Sequence, residues 1–237
     1  TVAVLEQETK KIEAFLDTGG NLLWLADPGS LHGLEGLAEK LSLTFGPGQI
    51  HDPSTPRYGV DQSTISIVSR YPLHAVTASF DLITLYPEAV ALTAEPNDKW
   101  QFDDIIKTSE NSWSETSSPF TDAIFDESTD HPGPLTLGLS IQPDEALGSS
   151  PQRIIVIGDG DFLSNAFIGN GGNLELGLNI VNWLSHDDEF IAIPTKMAPD
   201  LSFNLSKTGA LLMALGSLFL APALFLGAGV IIWWKRR

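Results

Sequence analysis

Helical and strand-like patterns of apolar residues alternate along the first forty residues. Residues 2–17 place apolar side chains at helical spacing and end at a Gly-Gly pair, where helices often stop. Residues 22–26 form a short continuous apolar run, which is typical of a strand buried on both faces. A second helical pattern covers residues 31–41. This succession predicts an α/β fold, in which helices cover a parallel sheet.

The same alternation returns after residue 150. A β-branched run at 153–157 predicts a second central parallel strand. A helix is predicted from Asn173, a residue that favours helix starts, to residue 184. Its apolar residues form two stripes, so we expect the helix to be buried on two sides. The stripes are Leu174, Leu178, Val181 and Leu184, and Leu176, Ile180 and Trp183. Residues 190–193 predict a last short strand.

The middle of the chain is less regular. Strands are predicted at 65–68, 82–85 and 135–141, between segments that contain many prolines. From about 94 to 134 we predict an irregular surface excursion, because residues 110–134 are rich in Ser, Thr, Asp, Glu and Pro.

The C-terminal residues read as a membrane anchor. Residues 208–234 carry no charge, and as a helix they would exceed the roughly 30 Å hydrocarbon core. The basic tail at 235–237 would stay in the cytoplasm by the positive-inside rule. Residues 1–193 then form an extracytoplasmic α/β domain, and residues 194–207 form a tether. The predicted location is the bacterial cytoplasmic (inner) membrane, with lipid contacts through 208–234.

Charge and composition narrow the function. The segment 1–206 holds all 30 acidic residues against 9 of the 13 basic ones, which gives a formal net charge of −21. Such a surface repels the phosphate backbones of nucleic acids, so the protein is not expected to bind nucleic acid. There is no cysteine, which excludes disulfides, thiolate metal sites and cysteine nucleophiles.

Two carboxylates at the end of the second buried strand are the sharpest candidate for chemistry. Asp159 and Asp161 follow the run at 153–157, and α/β sheets bind ligands at that edge. Paired aspartates there can hold Mg²⁺, or they can bond to backbone amides of a tight turn. Asp27 begins the turn that follows the first strand and is a further candidate ligand or turn residue. Leu163 stands where an EF-hand loop needs an oxygen ligand, and no metal or cofactor is assigned.

A second candidate is the loop before the predicted helix. Ser164 and Asn165, with the glycine-rich run 169–172, can offer backbone amides to an anion, or the glycines can serve positive φ angles. The spacing matches neither the phosphate loop nor the dinucleotide fingerprint, and the sequence contains no zinc pair or nucleophile elbow.

Several segments together resemble a known family. The run RIIVIGDGDFLSNAFIGNGGNLELGLNIVNWL (153–184), then DDEFIAIPTK (187–196) and the final WWKRR, resemble GldG-like auxiliary subunits of gliding-motility-type ABC transporters. The segments at 19–43, 69–92 and 108–116 are also similar.

The resemblance carries expectations of its own. It implies a layered parallel sheet, flavodoxin-like or class-I-glutamine-amidotransferase-like, followed by one C-terminal transmembrane helix. It also implies a membrane region and an early strand ahead of Thr1, so that the chain is an N-truncated fragment. Amidotransferases of this layering use a cysteine nucleophile that is missing here. ABC permease and ATPase subunits are the implied partners.

The leading hypothesis is therefore a non-enzymatic, membrane-anchored accessory subunit of an ABC-type transport or gliding-motility complex. Its extracytoplasmic domain would bind a partner or substrate. Two alternatives stay open at this point. One is an anchored metal-dependent hydrolase that uses Asp159 and Asp161, and the other is a cell-envelope glycan-binding module that uses tryptophans.

Overall fold

A computed structural model describes residues 3–117, 123–144, 152–187, 218–219 and 221–236. The chain divides into two compact units, Thr1–Thr195 and Lys196–Arg237. The helices are α1 (Glu6–Asp17), α2 (Glu35–Lys40), α3 (Asn173–Leu184) and α4 (Ala221–Lys235). The strands are β1 (Leu22–Leu25), β2 (Leu43–Phe45), β3 (Gln49–His51), β4 (Ile65–Val68), β5 (Thr84–Pro87), β6 (Leu92–Ala94), β7 (Trp100–Lys107), β8 (Trp113–Glu115), β9 (His131–Pro132), β10 (Thr136–Pro143) and β11 (Ile154–Ile157).

The first unit is built on a mixed four-stranded sheet. Its strand order is β1-β11-β10-β7, and only β1 and β11 are parallel. β10 runs antiparallel to both β11 and β7. The ten residues between β10 and β11 are fewer than the dozen or more that a parallel crossover needs, which accounts for the reversal. The predicted layered parallel sheet of flavodoxin-like or amidotransferase-like type is therefore wrong.

Three small antiparallel sheets complete the unit. β2 pairs with β6, β4 pairs with β5, and β8 lies between β3 and β9. A 3₁₀ helix covers Thr55–Tyr58. These sheets add a second way in which the fold departs from the predicted parallel architecture.

Two apolar clusters pack on opposite faces of the central sheet. All four residues of β11 are fully buried, and alternate ones enter different clusters, as the two-residue period of a strand requires. Ile155 and Ile157 join the cluster that contains α3. Ile154 and Val156 join the cluster that contains residues of α1 and α2. The strand is thus buried on both faces, as its unbroken apolar run predicts.

Part of the predicted surface excursion at 94–134 is core structure. β7 and β8 lie inside this range, and Ile105, Ile106 and Trp113 are buried. β7 also forms one edge of the central sheet. The described residues of this range that lie outside strands fit the irregular pattern, and they are 95–99, 108–112, 116–117, 123–130 and 133–134.

Helix α3 is buried on one side instead of two. Leu176, Ile180 and Trp183 are at most 3 % exposed, which confirms one predicted stripe. Leu174 and Leu178, on the other predicted stripe, are 45 % and 47 % exposed. The pattern alone did not show which of two apolar stripes meets the sheet.

The second unit corrects the prediction of a membrane anchor. α4 has 15 residues and would extend about 22 Å, less than the roughly 30 Å of a bilayer core. Among the described residues, no helix has both the length and the apolar character needed to cross a membrane. This finding contradicts the predicted transmembrane helix at 208–234 and, with it, the predicted inner-membrane location. The predicted strand at 190–193 and tether at 194–207 lie outside the described residues.

Candidate functional site

The candidate site lies where the two parallel strands end. The Ala26 amide donates to the Ile157 carbonyl oxygen at 2.9 Å, so the pairing of β1 with β11 continues past the end of β1. The two segments that follow these strands therefore meet at one edge of the sheet. Asp27 lies in the first segment, and the turn at 158–161 forms the second. Ligands of open α/β sheets commonly bind at this kind of edge.

Asp27 ties the two segments together. Its Oδ1 accepts a hydrogen bond from the Gly160 amide at 2.8 Å. A Cβ at position 160 would lie 2.7 Å from this oxygen, so glycine permits the close approach of backbone to carboxylate. The Asp27 side chain is exposed, and its role across the sheet edge was not visible in the sequence.

Asp159 is the one fully buried carboxyl of this edge. Its Oδ1 accepts hydrogen bonds from the amides of Asp161, at 2.6 Å, and Phe162, at 3.0 Å. Its Oδ2 is buried and has no hydrogen-bond partner in the described part of the chain. Burial raises the pKa of Asp159 from 3.8 to about 8, and the charges of Asp161 and Asp27 add to this shift. The two amide bonds oppose the rise of the pKa without cancelling it.

The other predicted residues lie further along the same segment. Asp161 is exposed, and its carbonyl oxygen accepts a bond from the Ser164 amide at 2.8 Å. The Ser164 Oγ is buried and has no partner among the described residues. Asn165 is exposed. The structure thus brings Asp27, Asp159 and Asp161 to one edge, while the exposed Asn165 forms no hydrogen bond with them in the described part of the chain.

The glycine-rich loop docks on its own domain. Gly171 has φ 54°, and a Cβ there would overlap the carbonyl oxygen of Ile83. The Gly172 amide donates to that same oxygen at 2.7 Å. The Gly172 amide therefore faces protein backbone. The positive φ explains the glycine at position 171.

Asn173 is a residue whose role the sequence did not reveal. It is the first residue of α3 and fully buried, and its Oδ1 accepts from the Leu85 amide at 2.9 Å. Its Nδ2 lies within donating distance of the carbonyl oxygens of Leu85, Phe162 and Phe167. Asn173 therefore joins β5 to the segment after β11, where the sequence predicted only a helix cap.

The chemistry offered by this edge is that of one neutral carboxyl beside two solvent-facing carboxylates. A carboxyl that titrates near pH 8 can exchange a proton near neutral pH. Within the described ranges, no group of three or more His, Cys, Asp or Glu side chains is placed to hold a metal ion. The carboxylate oxygens that have hydrogen-bond partners at this edge, Oδ1 of Asp27 and Oδ1 of Asp159, accept from backbone amides of residues 160–162.

Comparison with solved structures first defines the class of the fold. A structure titled "mmIFT52 N-terminal domain" aligns with a TM-score of 0.55 at 14% sequence identity. The alignment covers 77% of this chain and 72% of that chain. At this identity the likeness concerns the fold alone. No curated protein matches the chain.

The family follows from the sequence of nearly the whole first unit. The family model described as ABC-type uncharacterized transport system, an auxiliary component, matches residues 2–191. Because the match covers most of the chain, the chain belongs to this family of ABC transporter auxiliary proteins. Association with the components of an ABC transport system comes with that membership.

Proposed function

We propose that the chain is a non-enzymatic accessory subunit of an ABC-type transport complex, and that its α/β unit binds a partner subunit or the transported substrate. The family match over residues 2–191 carries this proposal, because it spans nearly the whole of that unit. Within the family, the resemblance of the segments at 153–184 and 69–92 favours a GldG-like member of a gliding-motility-type system.

ATP hydrolysis belongs to a separate ATPase subunit in this proposal, and an ABC permease is the other partner. The absence of a phosphate-loop pattern from the sequence supports this division of labour. The sheet edge that carries Asp27, Asp159 and Asp161, called the carboxylate edge from here on, supports a structural role as well. Asp27 and Asp159 use their oxygens to hold the turn at 158–161, which fixes two loops at the surface of the sheet.

Co-purification tests the proposal. The full chain, tagged at one end, would be expressed together with candidate ABC ATPase and permease subunits from the same organism, and purified through the tag. We expect both partners in the eluate and ATP hydrolysis that is lost when the phosphate-loop lysine of the ATPase is replaced. A chain that elutes without either partner would contradict the proposal, and ATP hydrolysis by the chain alone would contradict its non-enzymatic part.

A further inference from the structure

A groove of about 510 Å³ lies between helix α2 and strand β2. One end is lined by the loop that follows β1, so the groove begins beside the carboxylate edge described above. None of the residues assigned to that edge lines the groove. The groove is therefore a second surface feature, and its backbone, apolar floor and charge each restrict what it can bind.

The backbone of β2 is unpaired along the groove. The Glu95 amide donates to the Ser42 carbonyl oxygen, and the Gly46 amide donates to the Ala91 carbonyl oxygen. Residues 42 and 46 thus face β6 with their backbone polar groups, and in the antiparallel register residue 44 between them does the same. In an antiparallel pair the alternate residues then turn their N–H and C=O groups to the other side. Leu43 and Phe45 are these residues, and no described segment bonds to their backbone. An open strand edge of this kind accepts an added strand.

The floor of the groove is apolar. It is formed by Leu31, Ala38, Leu43 and Phe45. Ala38 and Leu43 are buried, while Leu31 and Phe45 stay half-buried. Phe45 is fixed in place, because its ring lies 5.0 Å from the ring of Trp24. Alternate side chains of an added strand would find apolar surface here.

The rim of the groove is acidic, and no described basic side chain neutralises it by an ion pair. Glu35, Glu39 and Glu95 line it, and all three are exposed. None of them forms an ion pair in the described part of the chain. The nearest lysine in sequence, Lys40, is held by Asp17 at 2.6 Å and does not line the groove. The rim therefore attracts a cationic ligand, in agreement with the net charge of −17.

We infer that this groove binds an extended, basic segment of a partner subunit, which adds as a strand to the free edge of β2. Its lysine or arginine side chains face Glu35, Glu39 and Glu95, and its alternate apolar side chains rest on the floor. A second copy of this chain is a poor occupant, because β2-to-β2 pairing would bring the same carboxylates face to face. The inference rests on the proposed function only for the identity of the partner as a transporter subunit.

The test uses the full chain and a defined probe, a fluorescein-labelled nine-residue peptide of alternating Val and Lys, measured by fluorescence anisotropy. The triple variant Glu35→Gln, Glu39→Gln and Glu95→Gln should weaken binding at least tenfold. The matched control removes three exposed carboxylates elsewhere, Asp61→Asn, Asp81→Asn and Glu127→Gln, and should weaken binding less than threefold. Equal losses in the two triple variants would overturn the inference, because general attraction to an acidic protein would then explain the binding.

The probe itself tests the strand edge without touching the fold. Two versions carry N-methyl groups on alternate residues, in opposite phase, so that only one version loses the N–H groups that face β2. We expect one phase to bind at least tenfold more weakly than the other. Equal binding of both phases would overturn strand addition.

The same variants separate this inference from the proposed function. Overlapping peptides of the ATPase and permease would be arrayed against the full chain, and a basic segment that binds the parent but not the Glu-to-Gln triple variant is expected. If both subunits co-purify with the chain while no arrayed peptide responds to that triple, the groove inference fails and the proposed function stands. If neither subunit co-purifies, the proposed function fails, and the Val-Lys peptide still decides for or against the groove.

Discussion

Arg153 and Trp183 contact each other in two ways at once. The guanidinium carbon of Arg153 lies 4.9 Å from the centroid of the Trp183 ring, and its Nη1 donates to the Trp183 carbonyl oxygen at 2.6 Å. The contact joins the start of β11 to the end of α3. The ring of His74 packs on the same indole at 5.0 Å, so Trp183 holds three segments of the fold together.

Trp183→Ala should therefore destabilise the protein strongly. The side chain is 3 % exposed, and truncation of a buried Trp costs about 3–5 kcal/mol of unfolding free energy. Leu178→Ala on the same helix is the matched control, since Leu178 is 47 % exposed and should cost less than about 1 kcal/mol. Urea denaturation of the two variants beside the parent measures both. Similar midpoints for the two variants would show that the burial of Trp183 does not stabilise the fold.

Gly158→Ala is expected to be among the more damaging single changes at the carboxylate edge. Gly158 accepts a bond from the Val90 amide at 2.7 Å and donates to the Leu137 carbonyl at 2.9 Å. A Cβ at this position would overlap the carbonyl oxygen of Val90, so the backbone would have to move. We expect a loss of about 3 kcal/mol of unfolding free energy, at the upper end of the usual cost of overpacked core positions.

The control for this change is Gly169→Ala, because a Cβ there meets nothing within 4 Å. Its unfolding free energy should stay within about 0.5 kcal/mol of the parent. Thermal melts of both variants give the comparison. A Gly158→Ala protein as stable as the Gly169→Ala protein would mean that the close approach of Gly158 to Val90 is absent in solution.

Asp159 should make stability depend on pH in a direction opposite to that of most carboxylates. Its pKa is about 8 in the folded protein and 3.8 ordinarily, because burial disfavours the charged form. The stability contributed by the protonated carboxyl is fully present below about pH 4, and it is lost as the pH rises through about 8. Asp159→Asn cannot ionise and keeps an oxygen to accept the two amide bonds of the turn.

The measurement is the difference in unfolding free energy between parent and Asp159→Asn, taken at several values from pH 4 to pH 8. We expect the parent to lose at least about 2 kcal/mol of unfolding free energy relative to the variant over this range. The full shift of the pKa sets an upper limit of roughly 6 kcal/mol. Asp161→Asn removes a neighbouring charge but leaves Asp159 buried, so it should keep most of the pH dependence of the parent, because burial is the largest cause of the raised pKa. A flat difference for Asp159→Asn would refute the raised pKa.

The sequence predicts where strands of the central sheet lie along the chain better than whether neighbouring strands run parallel or antiparallel. The apolar runs at 22–26 and 153–157 correspond to β1 and β11, and these two strands are indeed parallel. A buried run carries no information about direction, however, so the antiparallel β10 could not be recognised as such. β7 was missed because its core residues Ile105 and Ile106 follow the charged pair at 103–104, which hides the period of a strand.

The candidate site was predicted in part. The position of Asp159 and Asp161 at the end of a buried strand followed from the order of the sequence. The bond from Gly160 to Asp27 joins residues 133 positions apart, and the clamp of Asn173 on Leu85 joins residues 88 apart. Such contacts depend on the pairing of strands and on the docking of loops. Local patterns of apolar and polar residues do not contain them.

Association with transporter subunits is the central claim, and native mass spectrometry of the complex tests it most directly. The full chain would be isolated through its tag from cells of its own organism that express ABC ATPase and permease subunits at their natural levels. We predict an intact mass that includes both subunits bound to this chain in a fixed ratio. A spectrum that contains only this chain or its oligomers, from cells in which both subunits are present, would contradict the account.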